Sequence, residues 1–149
     1  MRVVVQRCKE SSVTINGIVK GKIDFGYTLL VGFQDSDDYT LVDKMIDKII
    51  NLRVFEDNEG KMNYSLLDVN GSILNISQFT LYADVKKGRR PSFTMAGNPS
   101  YASQLYDYMN EKITSIGINV QTGCFGEDMK VSIINDGPVT ILLDSDELF

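Results

Sequence analysis

The most informative absence in this chain of 149 residues is histidine, because the sequence contains none. Catalysis by Ser-His or Cys-His pairs is therefore excluded, and so is the commonest protein ligand of zinc. A hydrolase with this composition would have to use a carboxylate, a lysine, a tyrosine, a bare hydroxyl, backbone dipoles or the substrate itself.

Several kinds of segment are also missing. No run approaches the roughly 18 apolar residues that a membrane span requires, and residues 1–7 carry no signal-peptide pattern. Cys8 and Cys124 lie too far apart for a C-x-x-C pair, which is typical of buried thiols in a reducing compartment. No glycine-rich phosphate-binding motif occurs, and the acidic residues lack the spacing of a calcium loop. We therefore expect a cytoplasmic protein with no membrane partner, no cofactor and no metal.

Positive charge is scarce overall but concentrated in one place. The formal net charge is −5, whereas nucleic-acid-binding proteins are usually basic. Four of the fifteen positive residues nevertheless fall within five positions: Lys86, Lys87, Arg89 and Arg90. A solvated surface loop is the ordinary explanation of such a run, and phosphate binding is the alternative. The sequence leaves both open.

The pattern of apolar residues predicts a single domain over residues 1–149. Alternating β-branched residues up to Ile15, followed by Asn16-Gly17, indicate a hairpin. Helical spacing of apolar residues predicts one helix starting at residues 36–38 and a second running from Asn98-Pro99 to Gly117. We expect an α+β fold in which a largely antiparallel sheet curls toward a barrel beside two main helices. Residues 146–149 are interpreted as a loose tail without function.

Further strands are expected at residues 53–56, 118–120, 130–134 and 139–143. The last two flank Asn135-Asp136-Gly137-Pro138, whose residue types are those of a four-residue hairpin loop. A cis Gly-Pro bond is the alternative, and the sequence alone does not choose between the two isomers. Glycine and proline would present carbonyls and a ring edge to a ligand, which is a surface that could test the configuration at an α-carbon.

The stretch Ser77-Gln78-Phe79-Thr80 follows an apolar strand and carries two hydroxyls and an amide. In a regular strand Ser77 and Thr80 would face opposite sides, so they converge only if the strand bends or ends there. Ordinary strand positions are the simpler interpretation. A hydroxyl is a weak nucleophile without an adjacent base, and none is local to Thr80. Gln78 with nearby backbone amides could instead form a cradle for the oxyanion of an ester.

Six stretches of the sequence resemble the D-aminoacyl-tRNA deacylase family, and together they run from the first residue to about residue 145. They are Met1-Arg-Val-Val-Val-Gln-Arg7, Lys48-Ile-Ile-Asn-Leu-Arg-Val-Phe-Glu-Asp57, Ser77-Gln-Phe-Thr-Leu-Tyr-Ala-Asp84, Lys87-Gly-Arg-Arg-Pro-Ser-Phe93, Thr122-Gly-Cys-Phe-Gly126 and Met129-Lys-Val-Ser-Ile-Ile-Asn-Asp-Gly-Pro-Val-Thr140.

The resemblance implies a homodimer that hydrolyses the ester between a D-amino acid and the terminal ribose of tRNA, with mischarged glycine as a further substrate. It implies that Ser77, Gln78, Phe79 and Thr80 line the catalytic pocket for the 3′ acceptor end, and that Met129, Gly137 and Pro138 contact the substrate. In the family the Gly-Pro bond is cis and reaches into the partner subunit's pocket, where it excludes L-amino acids.

The resemblance leaves two views of the chemistry. Thr80 is the nucleophile in one, and in the other the 2′-hydroxyl of the tRNA activates water; the lack of histidine favours the second and a positioning role for Thr80. Lys86, Lys87, Arg89 and Arg90 are the expected tRNA-binding residues. The alternatives are a non-catalytic RNA-binding dimer and a hydrolase of small amino-acid esters.

Overall fold

A computed structural model describes all 149 residues. Eight strands are present: β1 (Arg2–Ile15), β2 (Ile18–Ile23), β3 (Gly26–Gly32), β4 (Phe55–Glu56), β5 (Met62–Tyr64), β6 (Ser72–Ser77), β7 (Val120–Thr122) and β8 (Lys130–Asp144). The helices are α1 (Tyr39–Asn51), α2 (Pro99–Ser115) and α3 (Ser145–Leu148), and a 3-10 turn spans Phe79–Tyr82. The two long helices predicted from the sequence are confirmed, and α2 is capped by Asn98 with Pro99 in its first turn.

The main sheet has six strands and is mixed, whereas the sequence predicted a largely antiparallel one. β1 pairs antiparallel with β2 and β3 along one edge and with β8 along the other. β3 with β6, and β6 with β7, pair in parallel. The reason lies in the connections, because α1 lies between β3 and β6 and α2 between β6 and β7. A helical crossover returns the chain to the start of the sheet, so the next strand runs in the same direction.

The sheet curls into a nearly closed barrel. β7 approaches β2 so closely that a Cβ added to Gly21 would lie 3.0 Å from the carbonyl oxygen of Thr122. A small core of five buried residues gathers around the curled strands: Cys8, Val13, Ile23, Leu74 and Ile76. Because β3 and β6 pair in parallel, their carboxyl ends lie at the same edge of the sheet, where Gly32 and Ser77 are found.

The larger core lies where α1 and α2 pack against the sheet. Its 24 buried residues include the apolar stripe predicted for α1, namely Val42, Met45, Ile46, Ile49 and Ile50. α2 contributes Leu105, Tyr106, Met109 and Ile113 to the same core. No helix is both long enough and apolar enough to span a membrane.

The start of α1 lies within the predicted range, because Asp38 caps the helix by accepting from the Leu41 amide at 2.7 Å. Asp37 turns inward instead, and its Oδ1 lies 2.7 Å from the N-terminal ammonium of Met1. The Ser145 hydroxyl lies 2.7 Å from the same ammonium. A buried charge is tolerated only when it is paired, so this contact decides where Asp37 points. It also joins both ends of the chain, and the last residues form the short helix α3.

β8 is one continuous strand, so the hairpin predicted at residues 135–138 is wrong. It pairs with β1 from Lys130 to Asp144, with register shifts near Cys8. The backbone hydrogen bonds of residues 130–144 are therefore made to β1, and not between the two halves of a hairpin. The polar residues that indicated a turn lie where the ladder is irregular. β4 is shorter than the strand predicted at residues 53–56. β7 begins at the last residue of the strand predicted at residues 118–120.

The buried pair gives a test of what holds the two chain ends. Replacing Asp37 by Asn leaves the Met1 ammonium buried without a counter-charge, which we expect to lower the free energy of unfolding by about 3 kcal/mol. Asp38→Asn is the matched control, because asparagine caps a helix as well as aspartate does. Urea unfolding at constant m-value measures both. Equal midpoints for the two variants would contradict the structural importance of the pair.

Candidate active site

The stretch Ser77–Thr80 lies where β6 ends. The backbone amide of Gln78 donates to the Val31 carbonyl at 2.7 Å, and this is the last hydrogen bond to β3 before the chain leaves the sheet. Phe79–Tyr82 then form the 3-10 turn. The interpretation of these residues as ordinary strand positions is therefore wrong beyond Ser77. The amides of Phe79 and Thr80 open the turn, so they have no acceptor within it.

Gly32 at the end of β3 lets this turn pack directly on the sheet. A Cβ at that position would lie 2.9 Å from the Gln78 carbonyl oxygen and 3.2 Å from Cβ of Leu81. The first contact is with backbone and cannot be relieved by a side-chain rotation. Only glycine fits at this position, and the absence of a side chain lets the turn lie in direct contact with β3.

The hydroxyl of Thr80 accepts a hydrogen bond from the Gln78 side-chain amide. No carboxylate, amine or guanidinium lies within hydrogen-bonding distance of it. The side chain of Ser77 makes no hydrogen bond, and the residue is partly exposed. Phe79 is 56% exposed and packs edge-on against Phe93, with ring centroids 4.9 Å apart. The turn therefore presents a hydroxyl, open backbone amides and an aromatic ring, but no general base.

Two clefts meet at this turn and share Gln78, Phe79, Phe125 and Gly126 as a common wall. The larger has a volume of about 530 Å³, and its lining includes Phe93, Pro99 and Ala102. The smaller, of about 270 Å³, is lined on its far side by Ser77, Met129 and Val131. Met129 reaches this position because Gly123 beneath it has no side chain, since a Cβ there would collide with the Met129 sulfur.

Tyr106 of helix α2 connects that helix to the end of β6. The Tyr106 hydroxyl donates to the backbone carbonyl of Asn75, two residues before Ser77, at 2.6 Å. Its ring lies 6.0 Å from that of Phe125, centroid to centroid. Burial raises the pKa of Tyr106 to about 12, so the phenol stays protonated and continues to donate at physiological pH.

The four basic residues expected to bind tRNA lie in one loop next to the larger cleft. Asp84 and Ser92 exchange backbone hydrogen bonds of 2.7 and 2.9 Å, which close a loop over residues 85–91. Phe93, which lines the larger cleft, follows directly. All four cations are exposed and none forms an ion pair: Lys86, Lys87, Arg89 and Arg90.

Gly137 and Pro138 do not join these residues. Their peptide bond is cis, as the resemblance implies, and both residues are exposed on β8. Neither lines either cleft. Val131 on the same strand does line the smaller one, and the six residue steps from Val131 to Gly137 correspond to roughly 20 Å of strand. Within one chain the Gly-Pro segment is therefore separate from the clefts.

Arg7 holds the Gly-Pro segment from beneath. Its guanidinium is buried, donates to the Asp136 carbonyl at 2.9 Å, and donates to the Val54 carbonyl at 2.5 Å. A Cβ on Gly137, which has φ of +126°, would lie 3.0 Å from Nη2 of Arg7. The segment is thus fixed on its inner side and open on its outer side.

The family model described as D-Tyr-tRNA(Tyr) deacylase matches residues 4–144. The chain belongs to this family. Two relatives named D-aminoacyl-tRNA deacylase, from Bacillus cytotoxicus and Bacillus anthracis, are each 55% identical over 145 residues, which covers 97% of this chain and 99% of the relative.

Two solved structures are similar as well. One described as c-Myc DNA Unwinding Element Binding Protein has a TM-score of 0.90 at 39% identity, covering 97% of this chain and 98% of that one. One described as a probable eukaryotic D-amino acid tRNA deacylase has a TM-score of 0.82 at 17% identity, covering 95% and 97%. The second likeness concerns the fold of the deacylase family.

The residues that the resemblance assigned to the active site can be located in the structure, and their roles stay predictions. The structure brings Ser77, Gln78, Phe79 and Met129 together in the lining of the smaller cleft, and Thr80 follows in the 3-10 turn without lining either cleft. Sequence reasoning assigned no role to the residues beneath or opposite them: Gly32, Phe93, Phe125 and Arg7. Arg7, Phe93 and Phe125 do lie inside stretches that carried the resemblance. Gly32 gave no signal, because its role depends on a contact with residues more than 40 positions away.

Gly32 gives a test of the packing of the turn. Gly32→Ala places a methyl group against the Gln78 carbonyl, so we expect the turn to shift and turnover of the substrate proposed below to fall at least about tenfold. Overpacking should also cost about 1–3 kcal/mol in the free energy of unfolding. Gly60→Ala is the control, because Gly60 has φ of +76° in open space. It should cost about 1–2 kcal/mol without any loss of turnover. Equal activities of the two variants at matched folded fraction would contradict this role of Gly32.

Proposed function

We propose that the protein hydrolyses the ester bond of D-aminoacyl-tRNA and releases a free D-amino acid and tRNA. Family membership and full-length relatives of that name support this activity. The observation that carries the proposal is the turn after β6, which presents a hydroxyl and open amides between two clefts without a catalytic base. A tRNA substrate places the activity in the cytoplasm.

The larger cleft is suited to the terminal adenosine. Phe79, Phe93 and Phe125 supply aromatic surface there, and stacking of a base on such a ring contributes about 1–3 kcal/mol. With the base in this cleft, the ribose and its ester would lie across the shared wall formed by Gln78 and Phe79. The amino acid would then face the smaller cleft, with Ser77 and Met129 as its nearest neighbours.

The chemistry we infer depends on the substrate as much as on the protein. Thr80 accepts a hydrogen bond from Gln78 and has no neighbouring base, so we assign it a positioning role. The 2′-hydroxyl of the terminal ribose lies next to the ester in the substrate itself, and we assign it the activation of the attacking water. The amides of Phe79 and Thr80 are the donors available for the oxyanion, and one such donor contributes about 10²–10³ in rate.

Chiral selection in this proposal requires a second copy of the chain. Gly137 and Pro138 are exposed and lie too far along β8 to reach their own clefts. In a homodimer they would reach the partner's smaller cleft and present backbone and a ring edge next to the α-carbon. The outer edge of β8 has no strand partner within the chain and is available for this contact. A wall at that position would exclude an L side chain while leaving room for a D-amino acid or glycine.

The decisive measurement is the release of amino acid from D-tyrosyl-, glycyl- and L-tyrosyl-tRNA by the purified protein in the presence of a chelator. We expect turnover of the first two and at least roughly 100-fold slower release from the L form, which corresponds to about 2.7 kcal/mol. Equal release from the D and L forms would contradict the role of Gly137 and Pro138. No release from any of them, by a folded dimer, would favour a non-catalytic nucleic-acid-binding protein.

The loop over residues 85–91 provides the second test. We expect Lys87→Glu with Arg89→Glu to raise KM for D-tyrosyl-tRNA about tenfold and to make the affinity less dependent on salt, because fewer phosphates are neutralised. D-tyrosyl-adenosine, which lacks those phosphates, should be cleaved at the unaltered rate.

The matched control reverses two exposed lysines outside both clefts, Lys20→Glu with Lys48→Glu, and changes the net charge by the same amount. If both double variants behave alike on tRNA, the loop is only a solvated surface. A small amino-acid ester would then be the better candidate for the substrate.

A further inference from the structure

Arg2, the first residue of β1, makes three contacts that connect the catalytic turn to the sheet. Its Nε donates to Oδ2 of Asp144 at 2.8 Å, and its Nη1 donates to the Leu81 carbonyl at 3.0 Å. The centre of its guanidinium lies 4.6 Å above the ring of Tyr82. Leu81 and Tyr82 form the second half of the turn that begins with Phe79 and Thr80.

Apart from Arg2, the second half of the turn is attached to the sheet by packing, because Leu81 and Tyr82 both lie against Gly32. The first half is tied to β3 by the Gln78 backbone amide. The turn's own backbone bonds are local, because the Leu81 and Ala83 amides each donate to the carbonyl three residues earlier, that of Gln78 and that of Thr80. The Tyr82 hydroxyl is buried and has no hydrogen-bond partner, so the ring is held by packing and by the guanidinium.

We propose that Arg2 is a positioning residue for the deacylase reaction, which holds the second half of the turn so that Thr80 and the open amides face the ester. This inference rests on the function proposed above. Arg2 touches neither cleft near the reacting atoms, and it acts only through Leu81 and Tyr82.

The chemistry of the side chain fits this role. A planar guanidinium can donate to two acceptors in fixed directions while lying flat on an aromatic ring, and lysine cannot make all three contacts at once. The pair with Asp144 is partly exposed, with side-chain exposures of 42% and 23%, and such pairs contribute little to stability. Loss of Arg2 should therefore appear in turnover before it appears in unfolding.

The experiment compares Arg2→Ala and Arg2→Lys with a control ion pair of similar exposure. Lys112 and Asp43 lie 3.6 Å apart between α2 and α1, with exposures of 43% and 41%, so Lys112→Ala removes a comparable pair from the helical layer. The measurements are kcat and KM for D-tyrosyl-tRNA and the hydrogen exchange of the Leu81 and Ala83 amides.

For Arg2→Ala we expect kcat to fall about tenfold, because a small misplacement of catalytic groups is costly. KM should stay within about twofold, because the clefts and the basic loop that bind the substrate are unchanged. Arg2→Lys should recover part of kcat. Exchange at Leu81 and Ala83 should accelerate in Arg2→Ala and remain unchanged in Lys112→Ala.

Wild-type kcat in Arg2→Ala, or unchanged exchange at Leu81 and Ala83, would overturn the positioning role. If Arg2→Ala does not fold, a folded Arg2→Lys variant with wild-type kcat and exchange would overturn it equally. Failure of the proposed function is distinguishable, because the wild-type protein would then release no amino acid while the exchange rates still report whether Arg2 holds the turn.

Discussion

Backbone pairing along β1 is the constraint on which the rest of this structure depends. The strand uses both of its edges, with β2 and β3 on one side and β8 on the other, so it fixes three other strands at once. Each part of the site is attached to that ladder. Gly32, against which the turn after β6 packs, lies opposite Arg2 in the ladder. The Gly-Pro segment of β8 lies where the pairing with β1 is irregular, next to Arg7.

A site built this way uses backbone groups and small side chains where many hydrolases use histidine. Glycine at position 32 lets the turn approach the sheet, and the end of β6 leaves amides without partners. Open amides and hydroxyls can orient an ester and stabilise negative charge, but they cannot remove a proton from water at neutral pH. Assigning that step to the 2′-hydroxyl of the substrate is consistent with the composition of the chain and with the environment of Thr80.

The distribution of the site over distant parts of the chain has a physical advantage. A selective wall must be rigid, and Arg7 fixes residues 136–137 through carbonyl contacts on the inner side of β8. The clefts must admit a nucleotide, and they lie at the ends of strands where the chain is free to form loops. Val131 lines the smaller cleft near the start of β8, whereas Gly137 and Pro138 lie midway along the same strand, so the homodimer that we propose would be needed to combine them. Because the net charge is −5, the basic loop next to the larger cleft is where we propose the contact with tRNA.

The sequence by itself determined the two long helices and the first hairpin, because periodic spacing, capping residues and turn motifs are short-range signals. The resemblance to the deacylase family added the chemistry, which spacing alone did not contain. Only the tertiary structure decided that the sheet is mixed, that β8 passes straight through Asn135–Pro138, and that Asp37 pairs with the Met1 ammonium. These outcomes depend on contacts between residues far apart in the chain, such as Arg2 with Leu81 and Gly32 with Gln78. No local pattern records such contacts, since they exist only after the strands have paired.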